Sequence, residues 1–521
     1  MNHTLTCFTR RLHLALLVGL LTILPGEGMA AMQYHWVQLM AGKAVGERWL
    51  PDVSIRAIVD QKENCPALYD GQHIKKAKVL LTLQERVKQG QLASNPLFAE
   101  IKLCEKTIAA DDNLLQQWSV GYLANDKNPT AIRLPNLQGG ALPLSQLITS
   151  GCTGCRDNKD QYCATTPPAS GKSSAKAQPW QLAALMAQAA PASEQLPPLW
   201  VHLGDMRYSG QKDGVADSWS HNKGKLGWKE EFFTPYATLL AQSWSVILRG
   251  NHEGCFVPGN SWDNSGWQNR GEGWLYFFGS GTTTCQSLAG QQQDMLPPIA
   301  FDALAYGGSF AQPVASQQAI RLILLDRVRT GDGRDKDPGT TQALYTAQNR
   351  QVAQQWLHTL NRNHPAWLLQ HIPSYELNKK GKIESSLFSK ALQDALSPAE
   401  LQQVALLVSA HLHHYELAKE DDKHPLQVTV GNGGVALSGS LDKRCQWSNS
   451  GDKSALQAVQ FGFLSVRFTV EGGSVNASYQ MPLFRAAPGS LQADSPMVCP
   501  GKKEAPAVPD CGKASPLPAC S

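Results

Sequence analysis

Apolar residues recur along this chain in two different rhythms. Between Gln33 and Ile148 the apolar runs are short and broken by Pro, Gly and Asn, as at Val53–Val59, Ala77–Leu83 and Ala131–Leu134. Only Leu81–Lys88 shows a trace of helical spacing. The pattern predicts a small β-rich N-terminal domain over residues 32–148. After Gly151 the rhythm changes. Strand-like runs at Leu199–Leu203, Ser245–Leu248, Ile320–Leu325, Ala366–Leu369, Val404–Val408, Leu426–Val430 and Leu464–Val470 alternate with amphipathic segments. Those segments are Pro179–Ala190, Lys229–Ala241, Thr346–Asn361 and Ser386–Ala395. Such alternation predicts an α/β domain over residues 149–490. Val352, Trp356 and Leu360 share one helical face and read as core packing. Thr165–Gln178 and Thr330–Asp337 read as loops, and 491–521 as a Pro/Cys-rich tail.

The first 31 residues follow a different logic. Arg10 and Arg11 precede an apolar run, Leu14–Leu24, and a small-residue stretch ends at Ala30-Ala31. This is the layout of a signal peptide, and the run is too short to span a bilayer. Thr9-Arg10-Arg11 partly matches a twin-arginine signal, with His13 at a position where Phe is usual. No other segment has spanning length. The expectation is an exported protein, periplasmic or secreted, in an oxidising compartment. A chain with 42% hydrophobic and 17% charged residues is ordinary globular material rather than disordered. Its net charge of +4 is small and without dense basic clusters, so a nucleic-acid role gains no support.

Of the twelve cysteines, Cys7 falls within the leader. The remainder is odd, so at least one thiol lacks an intramolecular partner. Local pairings on offer are Cys65 with Cys104, Cys155 with Cys163, and Cys255 with Cys285. Cys445, Cys499, Cys511 and Cys520 would then pair among themselves. Setting Cys152 aside makes the count even.

Polar clusters sit directly after several apolar runs, where α/β sheets present their chemistry. Leu199–Leu203 leads into Gly204-Asp205-Met206-Arg207-Tyr208, and Ser245–Leu248 into Arg249-Gly250-Asn251-His252-Glu253. Ala366–Leu369 leads into Gln370-His371, and Val404–Val408 into Ser409-Ala410-His411-Leu412-His413. Carboxylate, amide oxygen and imidazole are donors for Zn, Fe or Mn. On extended backbone the two imidazoles of His-x-His share a face and reach one binuclear centre, each serving a different metal or the same one. Two metals about 3.5–4 Å apart can share a carboxylate, acidify a bound water and clamp a phosphoryl group.

These ordered motifs resemble those of purple-acid-phosphatase-like metallophosphoesterases, from about Gly151 to Gly434. The Gly250-Asn251-His252-Glu253 run is the specific part, expected by chance on the order of once in hundreds of thousands of positions. Gly431-Asn432-Gly433-Gly434 also resembles a family segment. The resemblance implies a four-layer α/β/β/α sandwich and two metal ions of the Fe, Zn or Mn kind. It implies a phosphate-ester substrate, hydrolysed by metal-activated hydroxide. Asp205 would bridge the metals, Asn251, His371 and His411 would complete one site, and His413 and Tyr208 would belong to the other. His252 would stand over the substrate as the catalytic residue. Arg156 and Arg207 could hold substrate phosphate, and could equally pair with carboxylates.

The chain departs from the pattern at its first motif. The family has Gly-Asp-x-Gly, and this chain has Gly151-Cys152-Thr153-Gly154, with Cys155 following. Cys152 is open to four readings: a soft thiolate ligand, a non-ligand leaving one site weak, a disulfide partner of Cys155 or Cys163, or an introduced substitution. A weakened site would make the chain a phosphatase fold that binds a phosphate-bearing ligand or a partner without turnover. A thioredoxin-like role for Cys152-x-x-Cys155 lacks the surrounding βαβ pattern. Ala410 stands where Gly is usual before His411. His202 and His414 read as structural.

Overall fold

The computed structural model describes residues 32–494, apart from 71–77, 156–178, 191–195, 210–216, 256–269, 329–337, 378–382, 438–444 and shorter stretches. The expected leader, the loops 165–178 and 330–337, Arg156, and all but the start of the expected tail lie outside the described residues. Among the described residues no helix is long and apolar enough to cross a membrane.

Two nine-stranded sheets organise the α/β fold. In the first, Gln146–Ser150, Leu199–His202, Trp244–Ile247 and Tyr34–Val45 run side by side and parallel. Leu464–Glu471 pairs antiparallel with the free side of Gln146–Ser150. In the second, Pro313–Leu325, Ala366–Gln370, Val404–Ser409 and Leu426–Val430 are parallel neighbours. These central strands are largely buried on both faces, as parallel strands covered on both sides are.

Three apolar clusters follow from that alternation. The largest takes Val37, Leu147, Val201 and Val246 from the first sheet and Phe301, Leu322, Leu369 and Val408 from the second, so it lies between them. A second joins Ile148, Trp200 and Ile247 to Leu182, Met186, Phe232 and Tyr236 of the helical segments 179–189 and 229–242. A third joins Ile323, Leu325, Leu368 and Leu407 to Val352, Trp356 and Leu392 of 338–357 and 387–393. Each large side chain buried this way stabilises the fold by roughly 1.5–3 kcal/mol.

Several of the N-terminal strands join the first sheet. Tyr34–Val45 inserts beside Trp244–Ile247, with Val37 opposite Trp244. Arg48–Asp60 and Ile101–Ile108 continue the same sheet outward. The physical reason is burial on both faces: Trp36, Val37, Leu39, Ile55, Ile58 and Val59 are all buried. Such strands need cover on both sides, which a small sheet alone would not supply. Ala67–Asp70, Val79–Thr82, Ser119–Ala124 and Thr130–Leu134 form a four-stranded sheet of their own. Leu81–Lys88 is not helical either. It contributes to the strands Val79–Thr82 and Gln84–Glu85, with Leu83 buried in the core and Val87 70% exposed. The helix expected from Thr346 begins earlier, at Pro338, where a missing N–H costs nothing. A further helix spans Arg270–Phe278.

Disulfides join Cys65 to Cys104 and Cys255 to Cys285, two of the local pairings on offer. Cys155 is also disulfide-bonded.

Candidate metal centre

The polar motifs converge just past the carboxyl ends of parallel strands from both sheets. Three of their residues take left-handed backbone: Cys152 with φ 54°, Asp205 with φ 60° and His411 with φ 63°. Non-glycine residues rarely adopt this conformation, and where they do it is concentrated at functional sites. The turn at Asp205 also needs Gly204, whose φ is +93° and where a Cβ would run into the backbone nitrogen of Gly250. The extended backbone expected for His411-x-His413 is therefore corrected. The left-handed turn at His411 breaks the extended run, and the two imidazoles go to different clusters.

One cluster is Asp205, His371 and His411; the other is Cys152, Asp205 and His413. In each, the donor atoms all lie within 4.8 Å of one another, and Asp205 belongs to both. His371 Nε2 is 3.3 Å from Asp205 Oδ2, and Cys152 Sγ is 3.9 Å from the same oxygen. Nitrogen and oxygen ligands on one tetrahedral ion stand about 3.3 Å apart, and a thiolate and an oxygen about 3.5 Å apart. Both spacings fit a shared ion to within a few tenths of an ångström. Asn251 Oδ1 lies 3.0 Å from His371 Nε2 and 2.9 Å from His411 Nδ1, so three donors aim at one point. His371 Nδ1 donates to the Leu203 carbonyl (2.6 Å), which leaves Nε2 as the ring's acceptor, the arrangement of a metal-binding imidazole. The residues present thus fit a binuclear metal group.

Electrostatics agree. Burial alone would raise the Asp205 carboxyl, but the imidazoles of His371, His252 and His411 hold it well below the usual carboxylate range. Burial opposes protonation of His371, and the Asp205 carboxylate outweighs it and raises that group. Tyr208 Oη donates to Asp205 Oδ2 (2.8 Å) and lies 3.2 Å from His413 Nε2. His252 packs its ring 4.2 Å from that of Tyr208, with Nε2 3.8 Å from Asp205 Oδ2. Its side chain is 10% exposed, against 1% for Asp205, so it faces the mouth of the site.

Sequence reasoning assigned no role to the layer beneath. Glu253 accepts from the backbone N–H groups of Gly250 (2.9 Å), Asp205 (2.8 Å), Met206 (2.9 Å) and Arg207 (3.1 Å). It locks the two ligand loops to each other. Burial, then the Asp205 carboxylate, push its carboxyl up to about 7. Its signal was in plain view, as the acid closing Gly250-Asn251-His252-Glu253. Glu231 does the same for the neighbouring turn, accepting from Cys155, Tyr208 and Ser209. The 431–435 segment fixes the Cys152 turn: Gly433 N donates to the Gly151 carbonyl and Val435 N to the Cys152 carbonyl.

His202 lies outside both clusters and braces them. Its Nδ1 accepts from Gly204 N (3.0 Å), and its Nε2 meets Thr153 Oγ1 at 2.7 Å. Burial, with the nearby His371, lowers it to about 3 from an ordinary 6.5. The unfolded chain therefore takes up this proton below about pH 6.5 and the folded chain only near 3. Stability should fall as pH drops through that window, by about 1.4 kcal/mol per pH unit from this group. In metal-stripped protein, His202→Asn should be weaker at neutral pH yet show a shallower acid slope in urea midpoints. Parallel slopes would refute this.

Of the ten site residues expected from sequence, eight gather here. Arg207 does not: its buried guanidinium binds Asp217, Ser218 Oγ and the Leu226 carbonyl, facing away from any phosphate position at the clusters. Of the two readings the sequence left open for Arg207, this is the pairing with a carboxylate. Arg156 lies outside the described residues. His414 pairs at 3.5 Å with Glu416 instead of joining either cluster.

Residues 175–415 match the family model described as calcineurin-like phosphoesterase, a little under half of the chain. This supports the metallophosphoesterase superfamily. The matched segment contains Asp205, Asn251, His252, His371, His411 and His413, and begins after Cys152. A phosphoesterase domain of this kind suggests metal-dependent phosphoester hydrolysis, and the family typically binds a dinuclear metal centre, for which the two donor clusters are candidate ligand groups. No curated protein and no solved structure matches the chain.

Proposed function

We propose that this chain is an exported metallophosphoesterase of the purple-acid-phosphatase-like kind, hydrolysing phosphate esters. The observation that carries the reading is Asp205 Oδ2, the one carboxylate oxygen within reach of both donor clusters. Asn251, His371 and His411 would hold one ion with Asp205, and His413 and Cys152 the other. Bound there, two such ions supply Lewis acidity and an acidified water. The chain's own groups supply the rest. His371 is oriented by the Leu203 carbonyl, and Asp205 by the His252 backbone N–H at 3.0 Å. His252, at the mouth, would contact the phosphoryl group or give a proton to the leaving oxygen. The three core clusters support the four-layer α/β/β/α arrangement of that family. Export is supported by the disulfides and by the leader-like first 31 residues.

A second reading keeps the fold and gives up turnover, and Cys152 favours it. Metal content per chain and aryl-phosphate hydrolysis, measured on wild type and Cys152→Asp, separate the two. Two metals with turnover in wild type support the hydrolase. One metal or none, with both restored by Cys152→Asp, supports the retired fold. No metal and no hydrolysis in either protein would sink both readings.

A further inference from the structure

We infer that Cys152 is a thiolate ligand giving the centre one soft, zinc- or cobalt-class divalent position, and that Tyr208 stays a phenol bonded to Asp205 rather than a ligand. The inference rests on reading the two clusters as a metal centre. Cys152 is wholly buried and remains a thiol, whereas Cys155, three residues on, is in a disulfide. Thiolate, imidazole and carboxylate converge as Cys152, His413 and Asp205. Three protein donors with a fourth position left over is the donor count of catalytic zinc sites. A thiolate and a carboxylate carry the same charge, so cysteine at this position conserves charge while changing softness. Soft sulfur selects zinc-class ions over hard trivalent ones.

Tyr208 fits the same picture. A phenol has one proton to donate, and Oη sits 2.8 Å from Asp205 Oδ2. Spending it there fixes the bridging carboxylate. Ligation would require losing that proton and the bond with it. Neutralisation of a divalent ion is already met by the Cys152 thiolate and its share of Asp205, so a tyrosinate is not needed.

The test uses the full chain, stripped with chelator and reloaded with cobalt(II). Wild type should show a near-ultraviolet thiolate-to-cobalt charge-transfer band, absent in Cys152→Ser and kept in Tyr208→Phe. Zinc should also slow alkylation of Cys152 in wild type by at least about tenfold, read on the Cys152 peptide by mass spectrometry, which needs no variant to fold. A band that survives Cys152→Ser overturns the inference, as does alkylation indifferent to zinc. So does an iron-loaded protein with a visible band lost in Tyr208→Phe. Hydrolysis is read separately. The band without aryl-phosphate turnover keeps the thiolate and refutes the hydrolase. Bound cobalt with turnover but no band does the reverse.

Discussion

Asp205→Asn should lower aryl-phosphate turnover by at least about a thousandfold and remove both metals, not one. The substitution keeps volume, and its amide oxygen can still accept the His252 backbone N–H that Asp205 Oδ1 accepts at 3.0 Å. What changes is the other atom. Oδ2 faces His371 Nε2, Cys152 Sγ and the Tyr208 hydroxyl. An NH2 there presents hydrogens to groups that need a shared anion. Because the same oxygen serves both clusters, neither is complete without it. Metal analysis by mass spectrometry beside kcat decides the matter. Loss of only one metal would mean that the clusters are independent and that Asp205 does not bridge them.

The second large effect is on folding. Glu253→Gln should destabilise the protein by about 3–5 kcal/mol. Four backbone N–H groups from two loops converge on that buried carboxylate. A glutamine oxygen can keep some of them, while its NH2 group turns donors against the rest. The lost partners are buried, so water does not replace them. The urea midpoint of metal-free protein reads the stability, and a competition titration with a chelator reads the metal. Metal affinity should drop by about 10- to 100-fold, because both ligand loops loosen together. A variant with unchanged midpoint and weakened metal would make Glu253 a tuning group instead of a structural one.

The centre was more legible in the sequence than the architecture around it. Asp205, Asn251, His371 and His411 each follow a short apolar run, and a parallel strand's carboxyl end is where such residues must emerge. Local chemistry and local pattern pointed the same way. The place of Tyr34–Val45 was not legible, because its burial pattern says that it is central and says nothing about which strand lies beside it. That choice belongs to Trp244–Ile247, which comes some two hundred positions later. Backbone sign was also invisible: nothing in Ser409-Ala410-His411-Leu412-His413 announces the left-handed turn at His411. Arg207 was ambiguous for a related reason. A basic residue beside a metal motif looks like a phosphate contact until Asp217 is seen to hold it.

The strand order has a bearing on how the chain comes to exist at all. Residues 175–415, the portion matched as a phosphoesterase, do not amount to an autonomous piece. Leu199–His202 needs Gln146–Ser150 on its flank, and Trp244–Ile247 needs Tyr34–Val45. Gln146–Ser150, which carries Cys152 at its end, waits in turn for Leu464–Glu471. The sheet that presents Cys152 and Asp205 is therefore closed only when segments some three hundred positions apart in the chain have met, so the centre cannot form ahead of that long-range pairing.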